Sequence, residues 1–466
     1  MCTTLDGWTR RDFVRRTSSA AALGLLPGAF RLPSWSELGD VERPHLEVAL
    51  SAWRWIQSAR VVTDHGVTWP ADPDDAESVG WTLYSHSPGV LLFALELFHA
   101  TKDEAVLDEV RKGADHLAAY LDDERVGAGL YTGLAGLSVV FQELHRASGD
   151  PTYRELTERA LERIVQLSEP SGSGVAWPQP GPDGAGVEVT DIVSGAAGTG
   201  LGLLWLHDRL GAAAALDAAV AAGHRLVEQA EPVDGKGLRW QLREGYPREY
   251  PNFSHGTGGV AYFLATLHER TGERAFETAA TRGARYLQSI ARVEDGGYRI
   301  FHYTPDGENR YYLSWCHGPV GTNRLFHRLG ATTGDVEWQE WTHMGAQGIM
   351  GSGVPERRTP GFWENISQCC GDAGLGELFL TLQRMTGRAE YGAYVERLNA
   401  SLLGRSTKGD GGIRWIQAEH RARPDLLVAQ TGFMQGAAGV GKYFLHVDRM
   451  EESGEGPRIV LPDSPY

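Results

Sequence analysis

Gly256-Thr257-Gly258-Gly259-Val260-Ala261-Tyr262-Phe263-Leu264-Ala265-Thr266-Leu267-His268-Glu269-Arg270-Thr271-Gly272 opens on a Gly-x-x-Gly element, runs apolar nearly all round for two turns and stops at a glycine. A helix with that pattern needs burial on every side, and glycine commonly follows a helix end because it accepts φ > 0. The opening recurs at Gly133-Leu134-Ala135-Gly136, Gly195-Ala196-Ala197-Gly198, Gly318-Pro319-Val320-Gly321, Gly371-Asp372-Ala373-Gly374 and Gly436-Ala437-Ala438-Gly439, with an incomplete first copy at His86-Ser87-Pro88-Gly89. Copies stand about 47 to 65 residues apart, room for two helices and a long loop, and a fixed internal period is the mark of a repeat architecture. The glycine stop returns at Gly149, Gly334 and Gly387, and four residues after each stop stands an aromatic: Tyr153, Phe276, Trp338 and Tyr391. The helix expected there, as in Arg274 to Leu287, is amphipathic.

Each repeat therefore supplies one buried inner helix and one half-exposed outer helix. Loops such as Gly174-Val175-Ala176-Trp177, Gly237-Leu238-Arg239-Trp240, Gly297-Tyr298 and Gly412-Ile413-Arg414-Trp415 join them and suit short strand pieces. Seven such hairpins predict an all-α fold, an α/α toroid spanning residues 41–460 as one domain. The paired glycines let inner helices start at close quarters, with their first N–H groups expected to face a shared cavity.

The net charge of −16 argues against a nucleic-acid binder, which concentrates Lys and Arg against phosphates. At the N-terminus, Thr9-Arg10-Arg11-Asp12-Phe13-Val14-Arg15 and the apolar run from Ala20 to Leu26 resemble a twin-arginine export signal. Residues 1–38 are read as that signal and a linker, and the protein as exported to the periplasm or beyond, remaining cytoplasmic if the signal is not used. The run is short for a spanning helix, and no other run reaches the ~20 apolar residues a span needs.

Of four cysteines, Cys2 falls in the signal, leaving Cys316, Cys369 and Cys370. In Ser314-Trp315-Cys316-His317-Gly318 and Ser367-Gln368-Cys369-Cys370-Gly371, Cys316 and Cys369 both stand two residues before the first glycine of their repeats. A closed ring sets those positions side by side, with Cys370 adjoining. Three thiolates with room for a fourth ligand are what a catalytic zinc asks for, whereas a structural site would close with four protein ligands. The competing readings are three small buried apolar residues, or a disulfide with one cysteine left over.

The chain resembles the lanthionine synthetase C-like family, on Trp315-Cys316-His317-Gly318, Cys369-Cys370-Gly371-Asp372-Ala373-Gly374, Ser254-His255-Gly256 and Asp191-Ile192-Val193-Ser194-Gly195. The resemblance covers nearly all of the chain after the signal. It implies an α/α toroid with one Zn2+ on Cys316, Cys369 and Cys370, and addition of a cysteine thiolate to dehydroalanine or dehydrobutyrine. His255 then matches the histidine that handles the proton at the α-carbon and Asp191 the acid that cooperates with it. Apart from the resemblance, His255 also reads as a helix-start histidine bonded to backbone, and Asp191 as an N-cap. The family pattern has Cys-His-Gly where this chain has Cys369-Cys370-Gly371, a variant similar to one in some members. Replacing imidazole by thiolate takes a zinc site from neutral to about −1.

The family also places an arginine shortly before the first zinc cysteine, a role to which Arg310 is the loose match. His317 is read as packing or supporting the site, and His86 as structural. The expected partner is a dehydrated peptide or protein, dehydrated elsewhere since the repeats occupy the chain. Alternative functions are addition of a small thiol such as glutathione, a zinc-holding toroid used for binding, and a glycan-active barrel working through two carboxylates.

Overall fold

The computed structural model describes residues 42–466 apart from 182–183, 358–361, 364, 410 and 419–424. The twin-arginine-type segment and Cys2 lie outside the described residues. Among the described residues are fourteen α-helices. Seven form an inner ring: α2 (Ser87–Thr101), α4 (Leu134–Ser148), α6 (Ala196–Leu210), α8 (Thr257–Thr271), α10 (Pro319–Thr333), α12 (Asp372–Thr386) and α14 (Ala437–Ser453). Seven outer helices surround them: α1 (Pro44–Ser58), α3 (Glu104–Ala118), α5 (Pro151–Gln166), α7 (Ala213–Glu228), α9 (Arg274–Ile290), α11 (Val336–Met350) and α13 (Ala389–Gly404). The architecture is the α/α toroid that the repeats predict.

Burial follows the sequence pattern. Every residue of α8 from Thr257 to Leu267 is buried, whereas α9 buries one stripe, including Phe276, Ala280, Ala284 and Leu287. Three outer helices start from Asp103, Asp150 and Asp335, whose carboxylates accept from the backbone N–H two residues on. Six of the inner helices end in left-handed glycines, Gly272 at φ 70° among them, and α2 ends in a left-handed Lys102. Tyr153, Phe276, Trp338 and Tyr391 are all buried. Strand pairs form at the expected loops, as in Glu231–Val233 with Gly237–Arg239, and the tryptophan that follows anchors each to its outer helix: Trp177 to Ile164 O at 2.8 Å, Trp240 to Leu226 O at 2.7 Å and Trp415 to Leu402 O at 2.8 Å.

The paired glycines are explained by close approach of backbone to backbone. The incoming loop lies on the first turn of its own helix, so that a Cβ on Gly256 would stand 1.5 Å from Tyr250 O and one on Gly259 2.1 Å from Phe253 O. One expectation is corrected here. The first N–H groups of the inner helices do not open onto a cavity, because the loop carbonyls seven residues back accept them: Ala196 N to Val189 O at 2.8 Å, Asp372 N to Asn365 O at 3.0 Å, Ala437 N to Gln430 O at 2.9 Å.

These loops also bond to one another in a closed circle. Tyr84 N donates to Tyr131 O (3.1 Å), Tyr131 N to Val193 O (2.9 Å), Ile192 N to Ser254 O (3.1 Å) and Ser254 N to Cys316 O (2.9 Å). Cys316 N donates to Cys369 O (3.2 Å), Cys369 N to Met434 O (2.9 Å), and Met434 N returns to Tyr84 O (2.9 Å).

The two ends of the ring meet where α14 packs on α1. Arg43 Nε donates to Asp448 Oδ1 at 3.0 Å, and the ring of His45 stacks on Phe444 at 5.8 Å. Inside the ring, His446 of α14 reaches Glu377 of α12 (2.9 Å) and Glu96 of α2 (3.4 Å). Burial alone would raise the Glu96 carboxyl, but the His446 hydrogen bond and the charges of His446 and Lys442 bring it down to about 2. Burial opposes a proton on His446, and the charge of Glu377 overcomes this and raises its pKa.

A carboxyl held near 2 instead of 4.5 contributes on the order of 3 kcal/mol, present above its unfolded value and lost as pH falls toward 2. Glu96→Gln, compared with wild type by urea unfolding of zinc-free protein, is therefore expected to be less stable by a few kcal/mol at pH 7. That difference should shrink between about pH 4.5 and 2; a difference independent of pH would contradict the assignment.

Candidate functional site

The circle of loop-to-loop bonds fixes the residues two and one positions before each inner helix N-cap at one level. Cys316 and Cys369 are consecutive links in it. The Sγ atoms of Cys316 and Cys370 are 3.4 Å apart, those of Cys370 and Cys369 3.2 Å, and all three lie within 4.8 Å of one another. All three are buried and none is in a disulfide. Zinc–sulfur bonds of about 2.3 Å in a tetrahedron place sulfurs about 3.8 Å apart, within this span, so the three thiols suit a metal ion.

Other residues at the same two positions surround them. Tyr84 OH donates to Cys369 Sγ at 3.0 Å. Gln435 Nε2 donates to Tyr84 OH at 3.0 Å and approaches Cys370 Sγ at 3.9 Å. Gln417, whose Nε2 donates to the Gln435 backbone O and, at 3.3 Å, to its Oε1, holds that amide in turn. Hydrogen bonds of this kind draw charge from thiolates and orient them, which matters more for three thiolates than for two. Neither Tyr84 nor Gln435 stands out in the sequence, yet register picks both. His86 caps α2 where the later inner helices have a glycine, so Tyr84 aligns with Cys316 and Cys369, and Gln435 aligns with Cys370, His255 and His317.

His255 and Asp191 also come together. His255 Nδ1 lies 2.7 Å from Asp191 Oδ2, with Asp191 1% exposed. Asp191 Oδ1 accepts from Ser194 N at 2.8 Å and Gly195 N at 2.7 Å, in the loop that ends at the α6 N-cap, Gly195. One carboxylate thus ties its loop and holds the imidazole; it is not the helix N-cap. The His255 ring lies 5.6 Å from that of His317, the residue after Cys316, and 5.9 Å from Tyr250. Burial, with Tyr246 beside it, pushes the Tyr250 phenol up, so it remains a neutral hydroxyl.

His317 packs against His302 at 4.1 Å and Tyr250 at 5.4 Å. His302, unnoticed in the sequence, is 1% exposed at the heart of this cluster. Arg310 is not at the thiols; it donates to the Tyr303 hydroxyl. His86 bonds Thr82 at 2.7 Å, as a structural residue would.

The model of the family described as lanthionine synthetase C-like protein matches residues 77–460. The chain belongs to that family. Among solved structures, nisin cyclase is 16% identical to this lanthionine synthetase C-like chain, with a TM-score of 0.57 over 80% of this chain and 89% of that one, and shares its fold. The GH76A α-1,6-mannanase from Salegentibacter sp. HEL1_6 is 13% identical, with a TM-score of 0.44 over 86% of this chain and 97% of that one. Among the described residues no helix is long and apolar enough to cross a membrane.

Metal analysis tests the thiol cluster directly. Wild-type protein is expected to carry one zinc per chain and Cys370→Ala to lose it; metal-free wild type would count against the site. Tyr84→Phe, which removes the bond to Cys369, is expected to keep zinc but release it to a chelator at least severalfold faster.

Proposed function

We propose that the protein forms thioethers, adding a cysteine thiol of a dehydrated peptide or protein to a dehydroalanine or dehydrobutyrine, with Zn2+ on Cys316, Cys369 and Cys370. The observation that carries the proposal is the adjacency of three convergent thiols and a carboxylate-held histidine on neighbouring loops of one ring. Zinc held there supplies a Lewis acid that keeps an incoming thiol deprotonated near neutral pH.

The rest is the work of side chains. The substrate sulfur, its proton lost to solvent, forms a bond to the β-carbon, and the C=C electron pair moves toward the carbonyl to give an enolate. His255 then donates a proton to the α-carbon as general acid and recovers one from solvent. Its Nδ1 is committed to Asp191, so Nε2 is the transferring nitrogen, and the buried carboxylate stabilises the imidazolium beforehand. Tyr84 and Gln435 keep the cysteine sulfurs oriented through their hydrogen bonds. The rings of His317, His302 and Tyr250 pack together beside His255. The twin-arginine-type segment adds export to the proposal.

The export signal also favours a second reading, in which a small thiol such as glutathione is the donor. The two separate by mass: ring closure leaves a peptide containing both cysteine and dehydroalanine unchanged, whereas a small thiol adds its own mass.

With zinc-loaded protein and such a peptide, His255→Ala is expected to slow thioether formation by about 10²–10⁴-fold while zinc stays bound. An unchanged rate with zinc retained would falsify the role given to His255. Asp191→Asn, which keeps an acceptor for the loop N–H groups, should fall between wild type and His255→Ala.

A further inference from the structure

Beside the thiols and the His255–Asp191 pair, the loops carry a bank of arginines laid on tyrosines. The guanidinium of Arg248 sits 4.7 Å from the Tyr303 ring centre and that of Arg310 5.6 Å from the same ring, while Arg243 lies 5.2 Å from Tyr246. The tyrosines lead inward. Tyr303 packs edge-on against Tyr250 at 5.7 Å, Tyr246 lies 6.1 Å from Tyr250, and Tyr250 is 5.9 Å from His255.

All three arginines are half-buried, and among the described residues none forms an ion pair with a carboxylate. Two of the nearby acids are engaged elsewhere: Glu249 holds Arg239 and Tyr286, and Glu308 accepts from Thr304. Other arginines of the chain do find acids at close range, as Arg285 finds Glu337 and Arg324 finds Asp463.

A half-buried guanidinium without a counter-ion gives up hydration for no charge in return. Contact with the phenol, over the Tyr303 ring for Arg248 and through the Tyr303 hydroxyl for Arg310, offsets part of that cost and leaves further N–H groups for a carboxylate. The chain as a whole carries −16, so an acidic ligand is repelled over most of the surface and attracted here.

We propose that this bank binds carboxylate side chains of the acceptor peptide: the substrate is an acidic segment gripped by Arg248 and Arg310, its dehydroamino acid lying inward toward His255. The proposal rests on the thioether-forming reading above, and its test reads binding and chemistry separately. Two fluorescein-labelled peptides, identical but for glutamates or glutamines flanking one dehydroalanine, are titrated by anisotropy with zinc-loaded full-length protein in the absence of thiol.

The acidic peptide is expected to bind at least tenfold more tightly, with an advantage that shrinks as salt rises from about 50 to 200 mM. The double variant Arg248→Gln/Arg310→Gln should erase the preference at unchanged zinc content, Arg248→Lys should keep part of it, and His255→Ala should keep it whole. Equal affinities for the two peptides in wild type, or a preference that survives in a folded double variant, overturn the proposal. Thiol is then added: thioether formed without a preference refutes the arginine bank alone, and a preference without thioether refutes the reaction alone.

Discussion

A closed circle of backbone hydrogen bonds between the loops preceding the inner helices sets everything else in this molecule. Apolar contact between helices packed side by side is non-directional and by itself specifies their axial register less sharply than a hydrogen bond does. A loop N–H bonded to the carbonyl of the next loop is directional and fixes that register. The circle runs from Tyr84 through Tyr131, Val193, Ser254, Cys316, Cys369 and Met434 back to Tyr84, so residues at equivalent positions of the repeats are held at one height. Cys316 and Cys369 face a common point because they are bonded neighbours in that circle. The paired glycines serve the same end, since a side chain at Gly256 or Gly259 would push the loop off its helix and out of register.

Much of this was legible in the sequence because a repeat displays it several times over. The inner and outer helices, the glycine stops, the strand pieces and the coincidence of Cys316 with Cys369 all follow from comparing one copy with the next. What escaped were the features that occur once. Tyr84 stands in the copy whose glycine is replaced by His86, so its equivalence to the cysteines is visible only once His86 is seen to cap α2. Gln435 and His302 carry no chemistry that marks them in isolation; hydrogen-bond partners and burial reveal them. The bonding of the helix-start N–H groups is not legible in the sequence, because a Gly-x-x-Gly element suits an anion site as well as a loop lying close on a helix. The closure of the ring was hidden as well: α1 belongs with α14, at the far end of the chain.

Beneath the circle, the chain's last residues brace it. Asp463, fully buried, accepts from Trp315 Nε1 at 2.9 Å and from Arg324 at 2.6 Å, and Arg324 also donates to the Asp463 backbone O. Burial opposes the charge of Arg324, and Asp463 answers it. A buried pair of this kind contributes little net stability once desolvation is counted, but breaking it is costly. Its effect is one of position. Trp315 precedes Cys316, so the residue before a thiol of the cluster is held from below by a side chain nearly 150 residues away in sequence.

The gathering of three thiols at one buried point shows how such a frame accommodates a demanding chemistry. A third thiolate adds negative charge to a buried site, which is unfavourable unless donors meet it. The frame supplies them from the neighbouring positions of its own repeat: Tyr84 to Cys369, Gln435 beside Cys370, and Gln417 behind Gln435. Both donors stand one or two residues before a helix cap, as the thiols do. The site was therefore assembled by choosing side chains at two positions of one repeated scaffold, and the backbone circle is what allows the choice at one repeat to be matched by the choice at the next.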